Sequence, residues 1–201
     1  MKTMTLATGA LTALLSLSVY AGTPHKAGTY SIDAAHSKVG FEIPHLVIST
    51  VDGTFTSFEG SVTLAEKFEK SSVKASVEVK SVDTGNGKRD EHLRSPDFFD
   101  VAKFPKMTFE STALKGTPEA FKMDGKLTIH GVTKAVTFDG KYLGYVGNDG
   151  FGNEKVAFTA TAQIKRADFG LTWSKAIEAG PVVGETLTIL LKVEAGHPVK
   201  K

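Results

Sequence analysis

Apolar and polar side chains alternate along most of this chain with a period of two. Val73, Ala75, Val77 and Val79 interleave with Lys74, Ser76, Glu78 and Lys80, which gives a strand one dry face and one wet face. The same alternation runs through Phe121, Met123, Gly125, Leu127 and Ile129, through Val136 and Phe138, and through Val156, Phe158, Ala160, Ala162 and Ile164. Leu187, Ile189, Leu191 and Val193 close the series. Shorter strands are predicted over 29–33, 38–43 and 106–111, and another over 53–64 with a bulge between Phe55 and Phe58. Turn residues that tolerate positive φ lie between them, in Thr84-Gly85-Asn86-Gly87, His130-Gly131-Val132-Thr133 and Gly147-Asn148-Asp149-Gly150. Roughly eight or more strands joined this tightly pair antiparallel.

Two stretches depart from the alternation. Lys88 to Ser95 is rich in helix formers and is stopped by Pro96, so it predicts a short helix. Trp173 to Gly180 predicts a second. Between Gly22 and His197 there is no linker, repeat or low-complexity segment, which makes residues 22–201 one all-β domain. Strands with one apolar face each must stack as a sandwich or close as a barrel. Periodicity does not choose between them, and a barrel of eight strands is the smallest whose interior can hold a small ligand.

The first residues read differently. Lys2, the apolar run from Leu6 to Leu17 and Val19-Tyr20-Ala21 form a secretory signal peptide, with cleavage expected after Ala21. The run is too short and too interrupted by Thr8, Gly9, Thr12, Ser16 and Ser18 to span a membrane. No twin arginine precedes it, which points to general secretion and a periplasmic destination. Composition adds exclusions. The 201 residues contain 24 Lys+Arg against 22 Asp+Glu, spread along the chain, so nucleic acid is not an expected partner. There is no cysteine, which removes disulfides, thiolate metal sites and thiol nucleophiles.

Candidate chemistry is sparse. The sequence contains no Gly-x-Ser-x-Gly elbow, no His-Glu-x-x-His, no phosphate loop and no EF-hand loop. The six histidines, His25, His36, His45, His92, His130 and His197, include no pair at metal-binding spacing, although strands could gather His36, His45 and His92. No metal or cofactor is expected. The densest polar cluster is Arg89-Asp90-Glu91-His92, followed by Phe98, Phe99 and Phe104. It reads either as the mouth of a pocket, with Arg and Asp holding a polar head, or as an ion network on a helix surface.

Four segments carry a family resemblance. They are Tyr30-Ser31-Ile32-Asp33 with His36-Ser37 and Phe41, then Thr84 with Arg89-Asp90-Glu91-His92-Leu93 and Asp97-Phe98-Phe99-Asp100. Next come Phe104-Pro105-Lys106-Met107-Thr108-Phe109 with 125–134, and last Arg166-Ala167-Asp168-Phe169-Gly170. In this order, over Gly28 to Glu194, they resemble the YceI-like family of secreted, polyisoprenoid-binding bacterial proteins. The resemblance implies an extended lipocalin-like antiparallel barrel of eight strands with one or two short helices, whose interior holds a long isoprenoid or similar lipid. It also admits a homodimer, for which the sequence offers no interface.

On that reading the tunnel is lined by Phe41, Phe55, Val77, Phe98, Phe109, Phe138, Phe158 and Phe169. Arg89, Asp90 and His92 face the head group, with His36 and His45 as further candidates. No catalytic residue is required. Two other functions fit the same sequence. One is an isoprenoid-modifying enzyme using Arg89, Asp90 and His92; the other is a ligand-free β module that binds an envelope protein.

Overall fold

The computed structural model describes residues 26–177 and 180–199; the signal peptide expected over residues 1–21 lies outside them. The predicted alternation becomes an antiparallel barrel. Its strands are β1 (Gly28–Ile32), β2 (Lys38–His45), β3 (Ser49–Phe55), β4 (Phe58–Leu64), β5 (Ser72–Glu78), β6 (Val82–Asp83), β7 (Lys106–Thr117), β8 (Ala120–Ile129), β9 (Val132–Val146), β10 (Asn153–Lys165) and β13 (Thr186–Pro198). One α-helix, α1 (Gly87–Arg94), precedes β7. A two-stranded ribbon of β11 (Ala176–Ile177) and β12 (Gly180–Pro181) precedes β13.

Eight staves close the cylinder in the order β1-β4-β5-β7-β8-β9-β10-β13, and β13 pairs back to β1. Three of these staves are broken in two. β1 and β2 lie along one edge of β13, at Ala195–Gly196 and at Thr188–Lys192 respectively. β3 pairs with β2 and β6, while β4 pairs with β1 and β5.

Serines replace the ladder at the breaks. The Ser37 hydroxyl accepts from the Glu194 N–H at 2.9 Å and donates to the Glu194 carbonyl at 3.0 Å. The Ser81 hydroxyl accepts from the Ser57 N–H at 3.0 Å and donates to the Glu78 carbonyl at 2.7 Å. A hydroxyl can do both jobs of a peptide group, so the predicted bulge after Phe55 is a tied break.

β6 has no second neighbour in the sheet. Val79 N–H to the Pro105 carbonyl, 2.9 Å, links the stave of β5 to the approach of β7. The chain then inserts α1 and the segment after it. Asn86 caps the helix by accepting the Arg89 N–H. Arg94 fastens it to the wall by donating to the carbonyls of Lys80 and Val82, both at 2.7 Å.

Within the helix expected over 173–180, the described residues 173–177 and 180 are extended or irregular. Arg166 takes the carbonyls of Leu171 and Trp173, Val182 N–H takes that of Lys175, and Gly180 has a φ of 126°. Tertiary hydrogen bonds thus override helix propensity here. Between β8 and β9, His130 and Gly131 have φ of 51° and 74°, the two positive values that a two-residue hairpin turn needs.

The end of the barrel where β1 meets β4 is filled. Phe68, from the 3-10 turn Phe68–Lys70, packs on Phe121 with ring centroids 5.4 Å apart. Met123, Val62, Leu64, Tyr142 and Phe158 are buried with them. Polar groups clasp the rim. Glu154, buried, meets Lys26 and lies 3.0 Å from His197 Nε2. His197 Nδ1 is 3.1 Å from the Thr29 carbonyl oxygen, and its ring stacks on Tyr30.

Candidate functional site: an apolar cavity and its mouth

The other end is hollow. A cavity of about 310 Å³ lies inside β2, β3, β5, β7, β8, β9, β10 and β13, beside α1 and the residues that flank the β11–β12 ribbon, Trp173 and Val182 among them. Inward positions of the alternating strands form its wall: Phe41, Ile43 and Val51, Phe55 and Val77, Met107 and Phe109, Leu127 and Ile129, Phe138, Ile164, Leu187 and Ile189. The rings are set against one another. Phe109 and Phe138 meet edge-on at 5.2 Å and Phe55 and Phe99 at 5.9 Å, while Phe41 and Phe55, 5.9 Å apart, are tilted at 45°.

Glycines on the adjoining strand let two of these rings lie flat on the backbone. Phe41 covers its cross-strand partner Gly53, and Phe109 covers Gly125. A Cβ at either position would run into the ring. Gly125 therefore belongs in its apolar series as the floor beneath an aromatic side chain.

At the mouth, His92 and Phe98 come from α1 and the chain after it, and Trp173 from the stretch before β11. Each of the three ring pairs has a centroid separation of 5.0 Å. Residues 46–48 form the turn between β2 and β3 beside them, with Leu46 N–H donating to the Val182 carbonyl. Val47 and Ile48 are exposed.

The predicted site residues divide by height along the barrel. Phe41, Phe55, Val77, Phe98, Phe109 and Phe138 all line the cavity, as do Arg89, His92 and His45. Phe158 points inward but belongs to the filled end. Phe169, 1% exposed, is packed beneath the cavity wall without lining it. Asp90 is buried and spent on structure, accepting the Thr84 N–H and hydroxyl. His36 stays with Asp33 at the first stave break.

Trp173, Arg166 and Leu171 line the cavity without having been expected there. Trp173 is the chain's one tryptophan, a signal that sequence reading could have weighed.

Among the described residues, every ionisable side chain that lines the cavity is basic: His45, Arg89, His92 and Arg166. Arg89 donates through Nε and Nη2 to the Thr84 hydroxyl and carbonyl at 2.7 and 2.8 Å. His92 Nε2 is 3.0 Å from Asp97 Oδ2. Arg166 is 6% exposed, and burial pulls its pKa down while the charge of Glu185 pushes it back up.

The acids cluster elsewhere. Among the described residues Asp33, His36 and Glu194 place ligand atoms within 4.8 Å of one another. Lys155 Nζ lies between them, 2.7 Å from Asp33 and 3.0 Å from Glu194. Its ammonium already supplies the positive charge at that point. The hydrogen bonds from Lys155 and then from His36 hold the Asp33 carboxyl down to about 2.

Known proteins share this architecture. Protein YceI of Salmonella newport is 39% identical over 171 residues, 84% of this chain and 86% of its own length. The YceI protein of Campylobacter jejuni, solved by crystallography, is 34% identical and superposes with a TM-score of 0.66 over 84% of this chain and 96% of its own. A polyisoprenoid binding domain from Saccharophagus degradans has the same fold, with a TM-score of 0.61 and 18% identity, covering 84% of this chain and 98% of that domain. The family model described as the YceI-like domain matches residues 30–195. With that match over most of the chain, this protein belongs to the YceI-like family.

Proposed function

We propose that the protein is a periplasmic carrier that holds a long-chain polyisoprenoid, or a similar amphiphilic lipid, in the cavity for transport, storage or sequestration. The observation that carries this reading is the cavity itself: an aromatic and aliphatic wall, open at the end where basic side chains gather. Removal of apolar area from water drives such binding, so the wall needs no polar specificity. The Saccharophagus degradans domain of the same fold is a polyisoprenoid binding domain, which supports this class of cargo.

At ~0.3 kcal/mol per heavy atom, a tail of ~40 carbons contributes ~12 kcal/mol and binds at about nanomolar concentration. The cavity, about 310 Å³, is at the small end of the range for ligand sites. A long tail therefore fills it and continues past Phe98 and Trp173. Phe41, Phe55, Val77, Phe109 and Phe138 hold the tail, and Arg89 and His92 stand at the mouth. Binding is the preferred reading because the described lining is almost wholly apolar, its ionisable side chains being His45, Arg89, His92 and Arg166.

Native mass spectrometry of the mature protein, with organic extraction and identification of what is released, tests the proposal. A stoichiometric prenyl lipid is expected. A bare polypeptide mass that persists after incubation with prenyl lipids would refute it.

A further inference from the structure

We propose that Arg166 is an anchor for an anionic oxygen head group, so that the cavity selects prenyl phosphates or carboxylates over neutral chains of the same length. This rests on the carrier reading above. Arg166 follows β10 and opens the 3-10 turn Arg166–Phe169, where Gly170, with φ of 76°, caps the turn. Its side chain is buried and lines the cavity.

Backbone carbonyls hold the guanidinium in place. Nε donates to Gly184 at 2.8 Å, and Nη1 donates to Leu171 at 2.6 Å and Trp173 at 2.7 Å. Those three bonds occupy Nε and Nη1, so each fork of the group, Nε with Nη2 and Nη1 with Nη2, is half filled. Nη2 has no acceptor among the described residues, and no carboxylate hydrogen-bonds the charge. Glu185 acts on it only through space.

A buried cation balanced by neutral carbonyls leaves net positive potential in an apolar chamber, where the low dielectric magnifies it. An anionic oxygen is the ligand group that completes such a fork. Two other basic groups of the lining already have hydrogen-bond partners, Arg89 in Thr84 and His92 in Asp97. Trp173, whose carbonyl Arg166 holds, is also the ring beside His92 and Phe98. The anchor thus fixes the mouth and reads the head group with the same side chain.

The test titrates the intact mature protein with farnesyl phosphate and with farnesol, following the fluorescence of Trp173. The phosphate is expected to bind roughly ten- to a hundred-fold tighter, the gain typical of one charge-assisted hydrogen bond. The preference should persist from pH 6 to pH 9, since arginine stays charged. Equal affinities would overturn the anchor and leave the carrier standing, whereas failure of both probes to bind would overturn the carrier. A preference that disappears above about pH 7 would assign the selection to the histidines and overturn the anchor.

In Arg166→Met, farnesol binding should remain and the preference should vanish; Arg166→Lys should restore part of it. Retention of the full preference in Arg166→Met would refute the proposal. Since that change frees three carbonyls, the wild-type titration is decisive by itself wherever the variant fails to fold.

Discussion

At the end of the barrel closed by β1, β4 and β13, Phe68, Phe121, Met123 and Phe158 interlock and fill the interior. At the end roofed by α1, an interior lined by the same residue types stays empty over about 310 Å³. Aromatic content does not separate the two ends. The closed end has a complete ring of paired staves and a plug, Phe68, supplied from outside the strands. The open end begins where three staves break, and there β6 parts from β7. Rings lie against glycine backbone at both ends, Phe41 on Gly53 and Phe109 on Gly125 at the open one and Phe121 on Gly140 at the closed one, so these ledges are common to the two.

The largest effect that would sharpen this contrast is a truncation at the plug. Phe121→Ala should cost about 3–5 kcal/mol, as removal of a fully packed ring does, measured by urea unfolding. Phe109→Ala, facing the cavity, should cost well under half of that while weakening retention of a prenyl lipid. Equal losses in stability would show that the open end is packed in solution.

Next in size is Gly60→Ala on β4. Its Cβ would strike the Lys74 carbonyl and come within 2.9 Å of the Ala75 Cα, and backbone cannot rotate away. A loss of about 1–3 kcal/mol follows, read as a lower melting temperature. At Gly53 and Gly125 the obstruction includes a ring, and alanine there should also narrow the cavity.

A smaller effect belongs to acid. The Asp33 carboxyl is held down to about 2 from 3.8 by Lys155 and His36. A carboxyl with a depressed folded pKa stabilises the fold fully above its unfolded pKa, and that contribution is lost as pH falls from about 4 through 2. Asp33→Asn should cost about 1 kcal/mol at neutral pH after solvent screening. It should also flatten the pH dependence of urea stability between pH 2 and pH 4. An unchanged acid limb would refute the assignment of this clamp to the first stave break.

Smallest in stability is Trp173→Ala at the half-exposed mouth. Less than about 1 kcal/mol should be lost on unfolding, with roughly tenfold weaker prenyl lipid binding. Isothermal titration checks the binding arm, because the variant has no tryptophan.

Period-two alternation assigned Phe41, Val77, Phe109, Phe138 and Phe158 to the inward face, and all five point inward. It did not place them along the barrel axis. Height depends on the shear between staves, which is set by pairing register and not by any one strand's pattern. Phe158 shares its alternation with Ile164, yet the first packs in the filled end and the second lines the cavity.

Asp90 illustrates a second limit. A charged residue beside aromatics looks free to act until its Thr84 partner is seen. Trp173 and Arg166 illustrate a third. Their positions depend on carbonyls that a single side chain gathers from residues 171, 173 and 184, a contact with no local pattern.

The pairing of β13 has a consequence for how the chain reaches this shape. That strand joins β10 to both β1 and β2, so contacts such as Ser37 with Glu194 span 157 residues. Contacts this distant in sequence slow folding, because a long loop must be closed before they form. As the polypeptide emerges from its N-terminus, neither β1 nor β2 can be covered on its β13 side until residues beyond Thr186 arrive. Until then two sheet edges lie open, one at β10 and one at the first stave. That interval is the time of greatest exposure to misassociation.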